Sequence, residues 1–247
     1  MNWIYGFFMA WGMFLAIPCP WKRWKERARG YMTACLPLVG IVVGAIWALA
    51  AYALVRFCVP LPLRALLLAA LPWLLTGFLH LDGYMDVCDA VLSRRDLPER
   101  QRILKDSHCG AFSVICVALL LLAQWSVFLS VPTLPLLPLA AIPVVSRACA
   151  AVAVLSLRPM HTSQYASVRA VGAGCFVLPV LLGLAALLLP AALCGISALA
   201  GLVACAVYWL AAFYGRRQLG GMSGDISGFA LSLSELFGLL TLCLLGG

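Results

Sequence analysis

PLRALLLAALPWLLTGFLHLDGYMDVCDA, residues 62–90, decides the architecture of this chain. Residues 62–80 form an apolar run of bilayer-crossing length, and Asp82, Asp86 and Asp89 follow at once. On a helix turning about 100° per residue, Asp86 lies roughly 40° from Asp82 and Asp89 roughly 20° to the other side, so one narrow stripe carries all three. Unpaired carboxylates this close repel one another, and a stripe of this kind is stable mainly when a cation neutralises it. A purely structural stripe would need three cationic partners packed against a single helix. The expectation is therefore bound Mg²⁺, with Asp82, Asp86 and Asp89 as metal ligands.

Outward from this stretch the chain is 64% hydrophobic and 11% charged, against about 25% charged residues in soluble domains. The fold class expected is all-α: a polytopic membrane helix bundle forming a single integral-membrane domain over residues 1–247. About seven crossings are expected, near 31–55, 62–80, 110–131, 135–156, 171–190, 194–214 and 227–246, each bounded by charges, Pro or Gly. Residues 3–17 (WIYGFFMAWGMFLAI) are short for a span and rich in aromatics, which predicts an interfacial or re-entrant helix, with a tilted eighth span as the alternative. They do not read as a signal peptide, because no basic region precedes them and no small-residue cleavage site follows.

Alternating seven spans puts nearly all of the 17 Lys and Arg residues on one face and leaves only Arg56 and Arg64 opposite. That face is expected to be cytoplasmic, with the protein in a bacterial or archaeal inner membrane, in contact with lipid. The acidic residues share the same side. Such one-sidedness favours an enzyme working on cytosolic substrates over an ion-coupled transporter, whose polar groups would line a path to both faces. The chain shows no internal repeat of the transporter kind. A homo-oligomer is compatible with a bundle of this type, and no nucleic-acid partner is expected. The 11 cysteines contain no CxxC pair, so zinc and disulfide frameworks are unsupported and packing explains them.

Three polar connections remain. Residues 81–109 pass from acidic to basic, and Leu97-Pro98-Glu99 reads as a turn into a second short helix. Residues 215–228 (GRRQLGGMSGDISG) bring Gly220, Gly221 and Gly224 close together with Ser223 and Asp225. Those glycines would let a backbone hug a phosphate, while Asp225 is either a further metal ligand or a helix cap. Residues 157–170 contribute Arg158, His161 and Arg169. Clustered aspartates beside arginines and a glycine-rich turn suit transfer of a phosphate-containing group, where metal ions neutralise charge on the leaving group. Membrane phosphotransferases and prenyltransferases acting on lipids share this need, and spacing alone does not separate them. His80 is placed to act as a general base or to hydrogen-bond a carboxylate.

The blocks LHLDGYMDVCD (79–89), KDSHCG (105–110) and GGMSGD (220–225), followed by Glu235, resemble the cobalamin synthase family, the adenosylcobinamide-GDP ribazoletransferases. RGYMTACLPLVGIVVGA (29–45) and the Ser146-Arg147 pair extend the resemblance almost end to end. It implies a transferase of late cobalamin biosynthesis that presents the diphosphate of adenosylcobinamide-GDP to Mg²⁺. The 3′-hydroxyl of α-ribazole, or of its 5′-phosphate, would attack the phosphorus nearest the corrinoid and GMP would leave. It also implies Asp82, Asp86, Asp89 and Asp225 at the metal and Asp106 as a further ligand or base, while Arg147 and Arg102 are expected at the diphosphate from their charge and location alone. The chain departs from the family pattern at Ala90, where Gly commonly follows the third aspartate. It departs again at His108, where Arg is usual, and in 158–170, which lacks the expected Gly-Leu-Gly.

Overall fold

The computed structural model describes residues 2–161 and 172–246. Arg169 and most of the 157–170 connection lie outside the described residues. The described chain is helical, with α1 (Asn2–Phe14), α2 (Arg29–Ala34), α3 (Leu36–Arg56), α4 (Leu61–Leu75), α5 (Leu79–Leu92) and α6 (Leu97–Ile103) in the first half. In the second half come α7 (Ala111–Ser130), α8 (Leu136–Ser156), α9 (Gly174–Cys194), α10 (Leu199–Leu219) and α11 (Gly224–Gly246). Helices dominate because a backbone inside lipid must satisfy its own hydrogen bonds.

Five helical stretches are long and apolar enough to cross a membrane, or six if α4 and α5 together count as one broken span. One of the five, Gly174–Leu219, contains two helices, α9 and α10, joined through a 3-10 turn at Gly195–Ala198. The chain reverses there, because Gly201 of α10 lies against the Leu187 side chain of α9. Residues 3–17 correspond to α1, whose 13 residues span only about 20 Å at 1.5 Å per residue. That is too short to cross, and α1 packs on α2 instead.

The bundle is organised around α8, which is buried on nearly every side. It packs on α3, α9, α10 and α11. Gly40 and Gly44 bring α3 onto the α8 backbone, the small-residue contact common between helices in lipid. The outer surfaces of α9 and α10 expose Leu181, Leu188, Leu193 and Leu210, as expected of lipid-facing helices.

Two boundaries differ from the sequence reading. The apolar run 62–80 does not continue as one helix: α4 stops at Leu75 and α5 leaves at 91° to it. Positive φ at Gly77 and Phe78 makes the corner, and the Thr76 hydroxyl donates to the Pro72 and Trp73 carbonyls. The 215–228 connection is shorter than expected, because α10 runs through Leu219 and α11 starts at Gly224. Gly220 ends α10 with φ 80°, its N–H donating to the Arg216 carbonyl, a left-handed helix end that glycine adopts at least cost.

Candidate functional site

Asp82, Asp86 and Asp89 lie on α5, and α11 packs along the same helix. Two glycines set that approach. A Cβ on Gly83 would stand 2.8 Å from the Asp225 Cα, and one on Gly228 would stand 2.8 Å from the His80 carbonyl oxygen. Neither leaves room for a side chain, so the first turn of α11 delivers Asp225 onto the acidic helix. Asp86 is then within electrostatic reach of Asp82, Asp89 and Asp225. The last of the three helical aspartates is enclosed separately, since any side chain at Gly110 would collide with the Asp89 carboxylate.

The alternative role of Asp225, capping α11, falls to its neighbour. The Ser223 hydroxyl accepts the Ile226 N–H at 3.2 Å and donates to Asp225 at 3.3 Å. Ser223 is therefore the cap, and Asp225 sits inside the first turn, where the helix dipole favours a negative charge.

Between these helices and the neighbouring segments lies a cavity of about 270 Å³. Asp82, Asp225, Ser223, Gly224, His80 and Lys105 are among its lining residues. His80 is buried, stacks on Phe14 at 6.0 Å between ring centroids, and among the described residues has no hydrogen-bond partner at Nε2. Lys105 was not singled out in the sequence, where it is one basic residue among several. Its signal was its place directly before Asp106-Ser107, at the edge of the acidic region.

The remaining expected residues fall elsewhere. Arg147 does not line the cavity; it is 1% exposed and ion-paired with Glu235 at 2.5 Å. The Ser146 hydroxyl donates to the same carboxylate at 3.1 Å. A guanidinium committed this deeply to a carboxylate is drawn to its partner rather than to a diphosphate. Arg102 is exposed and pairs with Glu99 at 2.7 Å. Asp106 lies on the outer side of the turn after α6, where the His108 backbone N–H and ring hold its carboxyl below the ordinary carboxylate range. Arg102 and Asp106 line an open groove that shares Lys105 with the acidic cavity. Gly221 is buried against the Pro159–Met160 backbone, so its space is filled by the chain itself. Gly220 is exposed beside the Gln101 side chain.

The donor set fits a hard divalent cation. Every acidic group gathered here offers carboxylate oxygen, and neither Cys nor His belongs to the set. Among the described residues no three His, Cys, Asp or Glu side chains form a ready-made metal cage. Mg²⁺ rarely uses one, since it keeps several waters and binds through one or two carboxylates plus substrate phosphates.

A model of the cobalamin-5-phosphate synthase family matches residues 6–243. A protein named adenosylcobinamide-GDP ribazoletransferase from Clostridium perfringens strain 13 is 38% identical over 239 residues, 95% of each chain. One of the same name from Clostridium botulinum strain Alaska E43 is 36% identical over 246 residues, 97% of each chain. A third, from Citrobacter koseri, is 32% identical over 241 residues, covering 92% of this chain and 94% of its own. No solved structure matches the chain.

Proposed function

The chain belongs to the cobalamin-5-phosphate synthase family, and from that membership we propose that it joins adenosylcobinamide-GDP to α-ribazole or its 5′-phosphate. The acceptor's 3′-hydroxyl oxygen forms a bond to the corrinoid-side phosphorus, the bridging P–O bond breaks, and GMP leaves. The product is adenosylcobalamin or its 5′-phosphate. The observation that carries this reading is the meeting of α5 and α11, which puts Asp82 and Asp225 in the wall of a cavity also lined by Lys105 and His80, with Asp86 within electrostatic reach of both.

In this reading the carboxylates hold Mg²⁺, which supplies charge neutralisation on the diphosphate and its leaving group. Lys105, also in the cavity wall, offers a cation to the diphosphate oxygens. His80, a lining residue of the cavity whose buried Nε2 has no hydrogen-bond partner among the described residues, accepts the proton of the attacking hydroxyl. A volume of about 270 Å³ is at the small end for ligand pockets. It suits the reacting diphosphate and leaves the corrin ring outside, over the membrane surface. The crowding of Lys and Arg at that end of the bundle supports a cytoplasmic site in the inner membrane.

The test is product formation by purified protein in nanodiscs supplied with adenosylcobinamide-GDP, α-ribazole and Mg²⁺, with and without EDTA, read by mass spectrometry. Magnesium-dependent release of GMP with adenosylcobalamin is the expected result. A sustained blank from folded protein overturns the assignment and directs the search to lipid-linked phosphates.

A further inference from the structure

A second cavity, of about 350 Å³, is lined by Arg158, Phe213, Arg216, Arg217, Gly220 and Gly221. Its arginines come from two separate parts of the chain. Arg216 and Arg217 occupy the last turn of α10, and Arg158 follows the end of α8. The Met222 N–H donates to the Arg158 carbonyl and the Met160 N–H to the Met222 carbonyl, both at 2.9 Å. That strap fixes Arg158 against the α10–α11 turn. Its continuation, Met160 with Ser223 and Gly224, lines the acidic cavity. The basic and acidic cavities thus lie on either side of one short backbone bridge.

No acidic residue lines the basic cavity, and none of its arginines is ion-paired among the described residues. Topology accounts for basic residues at this end of the bundle, and the α10 dipole accounts for cations in its last turn. Neither accounts for Arg158, from another segment, being tied into the same cavity. Like charges held together on a braced backbone are relieved by an anion, and guanidinium groups match phosphate oxygens in charge and geometry.

We propose that Arg158, Arg216 and Arg217, with the Gly220-Gly221 turn, form a phosphate-binding site separate from the acidic cavity. Three arginines lining one cavity favour a dianionic phosphomonoester over the single charge of a phosphodiester. The ligand chemistry is therefore that of a 5′-phosphate on the attacking substrate; the phosphomonoester headgroup of phosphatidic acid is the other source of the same group. The choice of acceptor rests on the reaction proposed above, while the phosphate site itself does not.

Binding is measured by calorimetry on the protein in zwitterionic nanodiscs with EDTA, using α-ribazole 5′-phosphate, α-ribazole and inorganic phosphate. The phosphorylated acceptor is expected to bind about tenfold more tightly or better, the weight of one charge-assisted hydrogen bond. Inorganic phosphate should compete with it. Arg158→Gln and the Arg216→Gln/Arg217→Gln pair should erase the advantage, and Arg216→Lys/Arg217→Lys should restore part of it, which separates charge from misfolding. In turnover assays the Gln variants should raise KM for the phosphorylated acceptor and leave kinetics with α-ribazole unchanged. If phosphate binds only in zwitterionic nanodiscs and is displaced by phosphatidic acid, the site stands and its source is the lipid. Equal binding of both acceptors, with no arginine-dependent effect of phosphatidic acid, overturns the site. Loss of turnover with every acceptor in wild-type protein would instead overturn the reaction and leave the binding result intact.

Discussion

Gly83 of α5 and Asp225 of α11 meet backbone to backbone, with space for a hydrogen but not a methyl: a Cβ at residue 83 would stand 2.8 Å from the Asp225 Cα. This contact sets how closely Asp225 approaches the aspartates of α5, and so how much negative charge gathers at one place. Gly83→Ala should push the start of α11 away and cost about 1–3 kcal/mol through overpacking. Thermal unfolding in detergent and turnover should both fall. Unchanged activity and unchanged melting in this variant would show that α11 can shift freely and that the contact does not set the site.

Asp82→Asn keeps shape and removes one negative charge at the cavity wall. Turnover should drop to background while the protein remains inserted and monodisperse. Binding of Mn²⁺, read by electron paramagnetic resonance as a stand-in for Mg²⁺, should weaken in parallel. Wild-type Mn²⁺ affinity in the variant would exclude Asp82 from any metal site.

The Arg147–Glu235 pair is almost wholly buried, with side-chain exposures of 1% and 4%. Removing one partner leaves an uncompensated charge in the core, typically a loss of 3–5 kcal/mol. Arg147→Met and Glu235→Leu alone should each lower the melting temperature sharply. The double variant should recover much of the loss, because the desolvation cost disappears along with the attraction. Additive losses in the double variant would count against the pairing.

Lys105 and Arg102 are both basic residues of the 97–110 region, but only Lys105 lines the acidic cavity. Lys105→Ala should raise KM for the diphosphate substrate by about tenfold, the scale of one charged hydrogen bond. Arg102→Ala removes a solvent-screened, exposed pair with Glu99, and should leave KM within a factor of two. Reversal of that order would move the diphosphate to the outer groove.

Much of the architecture was legible because lipid imposes a local rule. A segment either carries enough apolar length to span or it does not, and the apolar segments of the sequence reappear as helices. The α5 stripe was legible for the same reason, since its spacing depends only on helical pitch. The corner at Thr76–Phe78 was not, because nothing in an apolar run announces positive φ at a phenylalanine. Arg147 illustrates the other limit. Its sequence neighbours mark it as a rare charge inside a span, but its partner Glu235 is 88 residues away.

By itself, then, the sequence determined that this is a helical membrane protein, which aspartates share a helix face, and which family its blocks resemble. Those properties follow from composition and from periods of a few residues. Only the tertiary structure decided that Asp225 joins the α5 carboxylates, that Ser223 caps α11, and that Arg147 is spent on Glu235 while Lys105 reaches the cavity. It also joined Arg158 to Arg216 and Arg217. Each of these is a contact between distant segments, set by how closely two backbones can pack, and no local pattern encodes that distance.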